Sequence, residues 1–273
     1  MSRDRAGDWL AFAALTLGAL AMVGPFVWML STSLKPAAEQ FDMALIPHSP
    51  TLANYPRLFE IMPFHLLIWN SFKLAAISVA GQLLTCSMAA FIFAVVRFRG
   101  RTILFAGLLL TLMVPGQVTV IPQFIIFKTL GLYGSQAPLY VPAFLGGAFG
   151  TFLMRQYFLT IPIELAEAAR IDGASLSRIF FTIYLPLSKP ALAAFAIFAF
   201  LFSWNDLFSA LIYLPSDLEK TTLTVGLALF QTQYGGQWTL MMAASLISVA
   251  PIITAFFLAQ RHFVQGVSMT GFR

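Results

Sequence analysis

Hydrophobic positions along this 273-residue chain come in long unbroken blocks, without the 3.6-residue period of an amphipathic helix or the alternation of a strand. A helix needs about 20 apolar residues to cross a bilayer. Six blocks approach or meet that length, near 9–31, 74–96, 102–125, 134–154, 190–213 and 239–259. The fifth is interrupted by Asn205 and Asp206. The pattern predicts an all-α, polytopic membrane protein with six transmembrane helices forming one domain over 1–273, and a long polar loop at 155–189. The first block also fits a secretory signal, with Arg3 and Arg5 as its basic region and Ala19-Leu20-Ala21 as an A-x-A-like site. A signal core of 7 to 15 residues is about half this run, which therefore reads as a retained span.

Charge then orients the spans. With the N-terminus in the cytoplasm, Arg3, Arg5, Arg97, Arg99, Arg101, Arg155, Arg170, Arg178, Lys189, Arg261 and Arg273 share one side. Only Lys35, Arg57, Lys73, Lys128 and Lys220 lie opposite. Lys and Arg in short loops set orientation, so both termini and the 155–189 loop are expected in the cytoplasm, and loops 35–73 and 214–238 outside.

The net charge of +5 is spread over these loops, which argues for topology and against nucleic acid. At 59% hydrophobic and 10% charged, the chain departs far from the roughly 25% charged residues of a soluble domain. The single cysteine, Cys86, allows neither a disulfide framework nor a Cys-based metal site. No G-x-x-x-x-G-K-[ST] phosphate loop, H-E-x-x-H or G-x-S-x-G occurs, and His48, His65 and His262 lie in different loops. Neither an enzyme, a metal site nor a bound cofactor is expected within this chain.

The most informative stretch is Ile161-Pro162-Ile163-Glu164-Leu165-Ala166-Glu167-Ala168-Ala169-Arg170-Ile171-Asp172-Gly173, followed by Ile183-Tyr184-Leu185-Pro186. It predicts a short helix with a hard stop. Pro162 suits a first helical turn, Glu164 and Glu167 suit the positive N-terminal end, and Gly173 suits the left-handed position after the C-cap. Ser175 can then cap a second helix. Ile161, Leu165, Ala168 and Asp172 share one face with Ala169 beside them, a narrow surface suited to docking in a partner's groove. An amphipathic segment lying on the membrane is the alternative, but the large apolar anchors and Lys/Arg-rich face of such segments are missing.

Glu167-Ala168-Ala169, Gly173, Ile183, Leu185 and Pro186 match the EAA signature, and the chain resembles the permease subunits of ABC-type importers. Seven fixed identities arise by chance at about one in 10⁸ per start position. Ser31-Thr32-Ser33-Leu34-Lys35-Pro36, Asn54-Tyr55, Asn70-Ser71, Val114-Pro115-Gly116-Gln117, Ile121-Pro122, Trp204-Asn205-Asp206 and Gln260 to Gly266 extend the resemblance, with the flavour of the maltose-type carbohydrate branch. The tail Val267 to Arg273 departs from the family's small-residue ending. The resemblance implies a type I importer permease in a bacterial inner membrane. Its partners would be a second homologous permease, two ATP-binding subunits that hold and hydrolyse ATP, an extracytoplasmic substrate-binding protein and membrane lipid. Glu164, Glu167, Ala168, Ala169, Asp172 and Gly173 would form the helix that couples to the ATPase. The cargo would be an oligosaccharide or simple sugar, with glycerol 3-phosphate as the alternative within the family.

Ionisable and helix-breaking residues inside spans mark a candidate path. Asp206, with Asn205 beside it, is an in-span carboxylate that reads equally as a structural residue. Pro115-Gly116-Gln117 and Pro122-Gln123 are expected to interrupt the third span, and such breaks survive only in protein or beside a cavity. Gln117, Gln123, Trp204, Asn205 and Asp206 are the path candidates, with Tyr234 and Trp238 as further aromatics that an interfacial belt explains equally. The rival reading, an ion-driven secondary transporter, needs relay charges of which Asp206 is the one candidate, and no internal repeat is evident.

Overall fold

The structure is a computed structural model that describes residues 5–214 and 217–268, and side chains over 7–214 and 217–257. Arg3, Arg273 and the tail from Met269 lie outside the described residues. The described elements are helical: α1 (Arg5–Ser33), α2 (Asn54–Ile61), α3 (Phe64–Val95), α4 (Arg101–Leu110), α5 (Gly116–Thr129), α6 (Ala137–Tyr140), α7 (Ala148–Phe158), α8 (Glu164–Ile171), α9 (Leu176–Ile179), α10 (Leu185–Leu187), α11 (Lys189–Trp204), α12 (Phe208–Tyr213), α13 (Leu223–Tyr234) and α14 (Trp238–Ser268).

Among the described residues, four stretches are long and apolar enough to cross a membrane: Gly7–Ser33, Phe64–Val95, Ala137–Phe158 and Trp238–Phe257. Two bent pairs supply the others. Arg101–Met113 meets Gly116–Thr129 at 99°, and Leu176–Leu187 meets Lys189–Trp204 at 82°, so the count is six when each pair is one span. The outer loop expected to run to residue 73 is helical from Phe64, because the second span continues past its apolar block through Lys73. Pro115 breaks the third span as expected, standing as the N-cap of α5. Pro122 does not. It lies inside α5, where it removes only the N–H that would reach the Val118 carbonyl.

The chain divides into two compact units, 1–65 with 226–251 and 66–225 with 252–273. In the first, a polar knot follows α1. Asn54 Nδ2 donates to the carbonyls of Ser33 and Lys35, each at 2.8 Å. Lys35 is fully buried, donates from Nζ to the Asp42 carbonyl at 2.7 Å and lies 4.7 Å from the Trp28 ring centroid. These bonds meet the rule that a buried polar group must be paired. The apolar side chains of α1 are exposed over its length, which suits a helix solvated by lipid tails as apolar as leucine.

The second unit holds a continuous core that runs from α8 to α11. Ala166 of α8 belongs to one buried cluster with Cys86, Phe91, Met154, Phe158, Ile179, Phe180, Tyr184, Phe195 and Ala199. Tyr184 is its aromatic hub, with ring centroids 5.0 Å from Phe91 and 5.4 Å from Phe158. Phe180–Tyr184 forms a π-helical turn, an element that often marks a functional bend. Arg155 pins the end of α7, donating from Nε to the Phe93 carbonyl at 3.0 Å and lying 4.2 Å from the Phe105 ring.

Candidate functional site

Two features of the second unit carry functional geometry. The first is α8. Its end is a hydrogen-bonded Schellman stop: Gly173 N–H donates to the Arg170 carbonyl at 3.0 Å and Ala174 N–H to the Ala169 carbonyl at 2.9 Å. Gly173 has φ +80°, the left-handed region that glycine enters without a Cβ penalty. Ser175 then caps α9, accepting from Arg178 N–H at 3.3 Å. A Ser175→Ala variant is expected to lose about 1 kcal/mol of stability, read as a lower melting temperature of the purified protein. The helix itself begins at Glu164, with Pro162 left in the preceding turn, where its carbonyl accepts from Leu165 N–H.

The two sides of α8 differ. Ala166 is buried in the core, and Ile161 and Ala169 pack against it. Ile161 and Ala169 therefore face this chain's own interior, in contrast to the docking face expected for them. Glu164, Leu165, Glu167, Ala168, Ile171 and Asp172 are exposed, and Ile171 is 87% exposed. Among the described residues, none of the three carboxylates forms an ion pair. Sequence reasoning missed Ile171, although its apolar side chain stands among charged neighbours at the end of the helix.

The second feature is a cavity of about 740 Å³. Three interrupted spans border it, at Gly116 in the third, at Gly146-Gly147 in the fourth and at Asp206 in the fifth. Gly146 has φ +85° and separates a short 3₁₀ turn from α7. Gln117, Gln123 and Asp206 all line this space, whereas Trp204 and Asn205 do not. Trp204 is buried and stacks on Phe200 at 5.4 Å, and the Asn205 side chain turns back to the Leu201 carbonyl. Tyr234 and Trp238 belong to the other compact unit, where Tyr234 stacks on Phe230. The aromatic lining comes from Phe195, Phe198, Phe202, Phe208, Tyr213 and Phe149, which sequence reasoning missed. The i, i+3, i+7 spacing of the first three was the available signal. Ser78 and Gln82 of α3, one turn apart in an apolar span, were missed for the same reason.

Asp206 is fixed by the break it occupies. Its Oδ1 accepts from Ser209 N–H at 3.0 Å, capping α12, and its carbonyl accepts from Thr224 Oγ1 at 3.3 Å. Phe195 and Ala199 of the buried core also line the cavity, so one packed cluster runs from α8 to the cavity wall.

The family described as "Binding-protein-dependent transport system inner membrane component" matches residues 86–269, a segment that includes α8 and most of the cavity. The chain belongs to that family. The permease is 34% identical to the arabinooligosaccharide transport permease AraQ of Halalkalibacterium halodurans, covering 97% of this chain and 96% of AraQ. It is 33% identical to the sn-glycerol-3-phosphate transport permease UgpE of Yersinia enterocolitica, covering 98% of each. Its fold is similar to a bacterial ABC transporter involved in importing the acidic polysaccharide alginate, with a TM-score of 0.85, 26% identity, and coverage of 96% of this chain and 99% of that one. It is thus a membrane-embedded subunit of a transport system, as the EAA residues imply.

Proposed function

We propose that the permease pairs with a second permease subunit, takes a sugar from an extracytoplasmic binding protein, and passes it inward on ATP hydrolysed by two partner subunits. On this reading both termini are cytoplasmic and ATP is bound by the partners. The observation that carries the proposal is the continuous core between α8 and the cavity. A core packed to crystal-like density transmits displacement because it has no voids to absorb it. An ATPase that seats the exposed face of α8 would move Ala166, the Tyr184 cluster and Phe195 together, and so reshape the cavity. Unpaired Glu164, Glu167 and Asp172 suit a groove with basic residues, with Ile171 as the apolar anchor.

The relatives support a carbohydrate-class cargo, since the AraQ protein is named for arabinooligosaccharides and the UgpE protein for a polyol phosphate. Amides, hydroxyls and aromatic faces in the cavity fit polyhydroxylated solutes. A Glu167→Cys variant in a Cys86→Ser background tests the docking. Cross-linking is expected to join it to the ATPase subunit, and nucleotide should change the yield. Absence of any cross-link across the exposed face of α8 would remove the proposed interface. An Ile171→Asp variant is expected to weaken ATPase association at least about tenfold, the equivalent of burying an unpaired charge at roughly 1.4 kcal/mol or more, measured by co-purification yield.

A further inference from the structure

Asp206 is the one ionisable carboxylate lining the cavity, and no lysine or arginine lines it among the described residues. Its Oδ1 is committed to the Ser209 N–H, and no described residue donates to Oδ2. The remaining polar lining is uncharged, with the amides of Gln82, Gln117 and Gln123 and several hydroxyls. The N-termini of α5 and α7 border the same space, their first residues lining it without a side-chain cap. Each such terminus acts as about half a positive charge. The charge balance of the lining therefore turns on Asp206, the one full charge among its described residues, with the helix termini adding partial charge.

From this balance we propose that Asp206 sets the charge selectivity of the path: the cargo is a neutral polyhydroxylated solute, and Asp206 turns away sugar phosphates and uronic acids. The inference rests on the reading of the cavity as the translocation path. The fold alone does not decide the matter, because the structurally similar alginate importer handles an acidic polysaccharide. The choice falls to side chains. An anion entering here meets a fixed carboxylate and, beyond the partial charge of the helix N-termini, no guanidinium or ammonium among the described lining residues to pair with, whereas sugar hydroxyls can donate to Asp206 and accept from the amides and the uncapped N–H groups.

The test measures the charge of the cavity directly. Gln117→Cys is made in a Cys86→Ser background, and the whole transporter is purified in lipid nanodiscs. Labelling rates are compared for a cationic trimethylammonium-ethyl and an anionic sulfonatoethyl methanethiosulfonate, each normalised to a small thiol in solution. Asp206→Asn keeps the acceptor that caps α12 and removes the charge. It is expected to lower the cation-to-anion rate ratio about three- to thirtyfold, the range for one charge removed from a shared, partly screened cavity. A ratio unchanged by Asp206→Asn, with both reagents reacting, would overturn the charge assignment and leave the path intact. Failure of both reagents to reach Gln117→Cys in any nucleotide state would overturn the path reading and the assignment with it.

Discussion

Replacing Gly173 with proline is expected to leave the permease inserted at normal levels and to reduce substrate uptake about a hundredfold, the equivalent of roughly 3 kcal/mol. Three effects converge on this position. Proline fixes φ near −65°, and Gly173 needs +80°. It also lacks the N–H that donates to the Arg170 carbonyl, and it disfavours the near-helical backbone that Asp172 holds at φ −71° and ψ 3°. The stop of α8 would unravel or redirect the chain, displacing Ile171 and Asp172 from the exposed face while the spans remain intact. Uptake of radiolabelled sugar by cells, beside an immunoblot of the membrane fraction, checks this. Normal uptake by Gly173→Pro would break the link between α8 and transport.

The second large effect concerns packing. A Cβ added at Gly150 would stand 2.0 Å from Phe195 Cζ and within 2.8 Å of both neighbouring ring atoms. Phe195 is 1% exposed and held in the core that reaches Tyr184, so its ring must leave that packing to admit the added atoms. Close approach through a glycine is how helices associate in lipid, where van der Waals contact replaces the hydrophobic drive. Gly150→Val is therefore expected to destabilise the protein by about 3 kcal/mol, at the upper end for overpacking. The expected readout is a lower melting temperature in detergent and a smaller folded yield. Combining Gly150→Ala with Phe195→Leu should recover more stability than the two single effects predict, because the residues touch. Simple additivity in that cycle would show that α7 and α11 do not meet here.

Much of this was legible in the sequence because lipid imposes a simple rule. Uncharged blocks of sufficient length must be helices, although their ends need not fall at the flanking charges, as Phe64–Val95 runs through Lys73. The stop at Gly173 and the cap at Ser175 were equally legible, since each depends on local backbone chemistry. The break at Pro115 was readable and the continuity through Pro122 was not, because an interior proline leaves the neighbouring helical bonds to decide between a kink and a break. Gly146-Gly147 carried a turn signal that the surrounding apolar block masked. Which polar residues meet was hidden most deeply. Gln117 and Asp206 lie on different spans and reach one cavity, while Trp204, two residues from Asp206, turns into the interior. One residue's step around a helix is 100°, so nearness in sequence does not fix direction.

The central claim is that this permease works as part of an ATP-driven assembly coupled through α8. Mild-detergent purification of the tagged chain, with identification of its companions and an ATPase assay, tests it most directly. The account predicts recovery of a second permease and an ATPase, with hydrolysis stimulated by a binding protein loaded with one sugar. That stimulation should be lost in Gly173→Pro. A chain recovered alone or only with itself, with no ATPase activity even after cross-linking at Glu167→Cys, would contradict it and favour transport driven by an ion gradient.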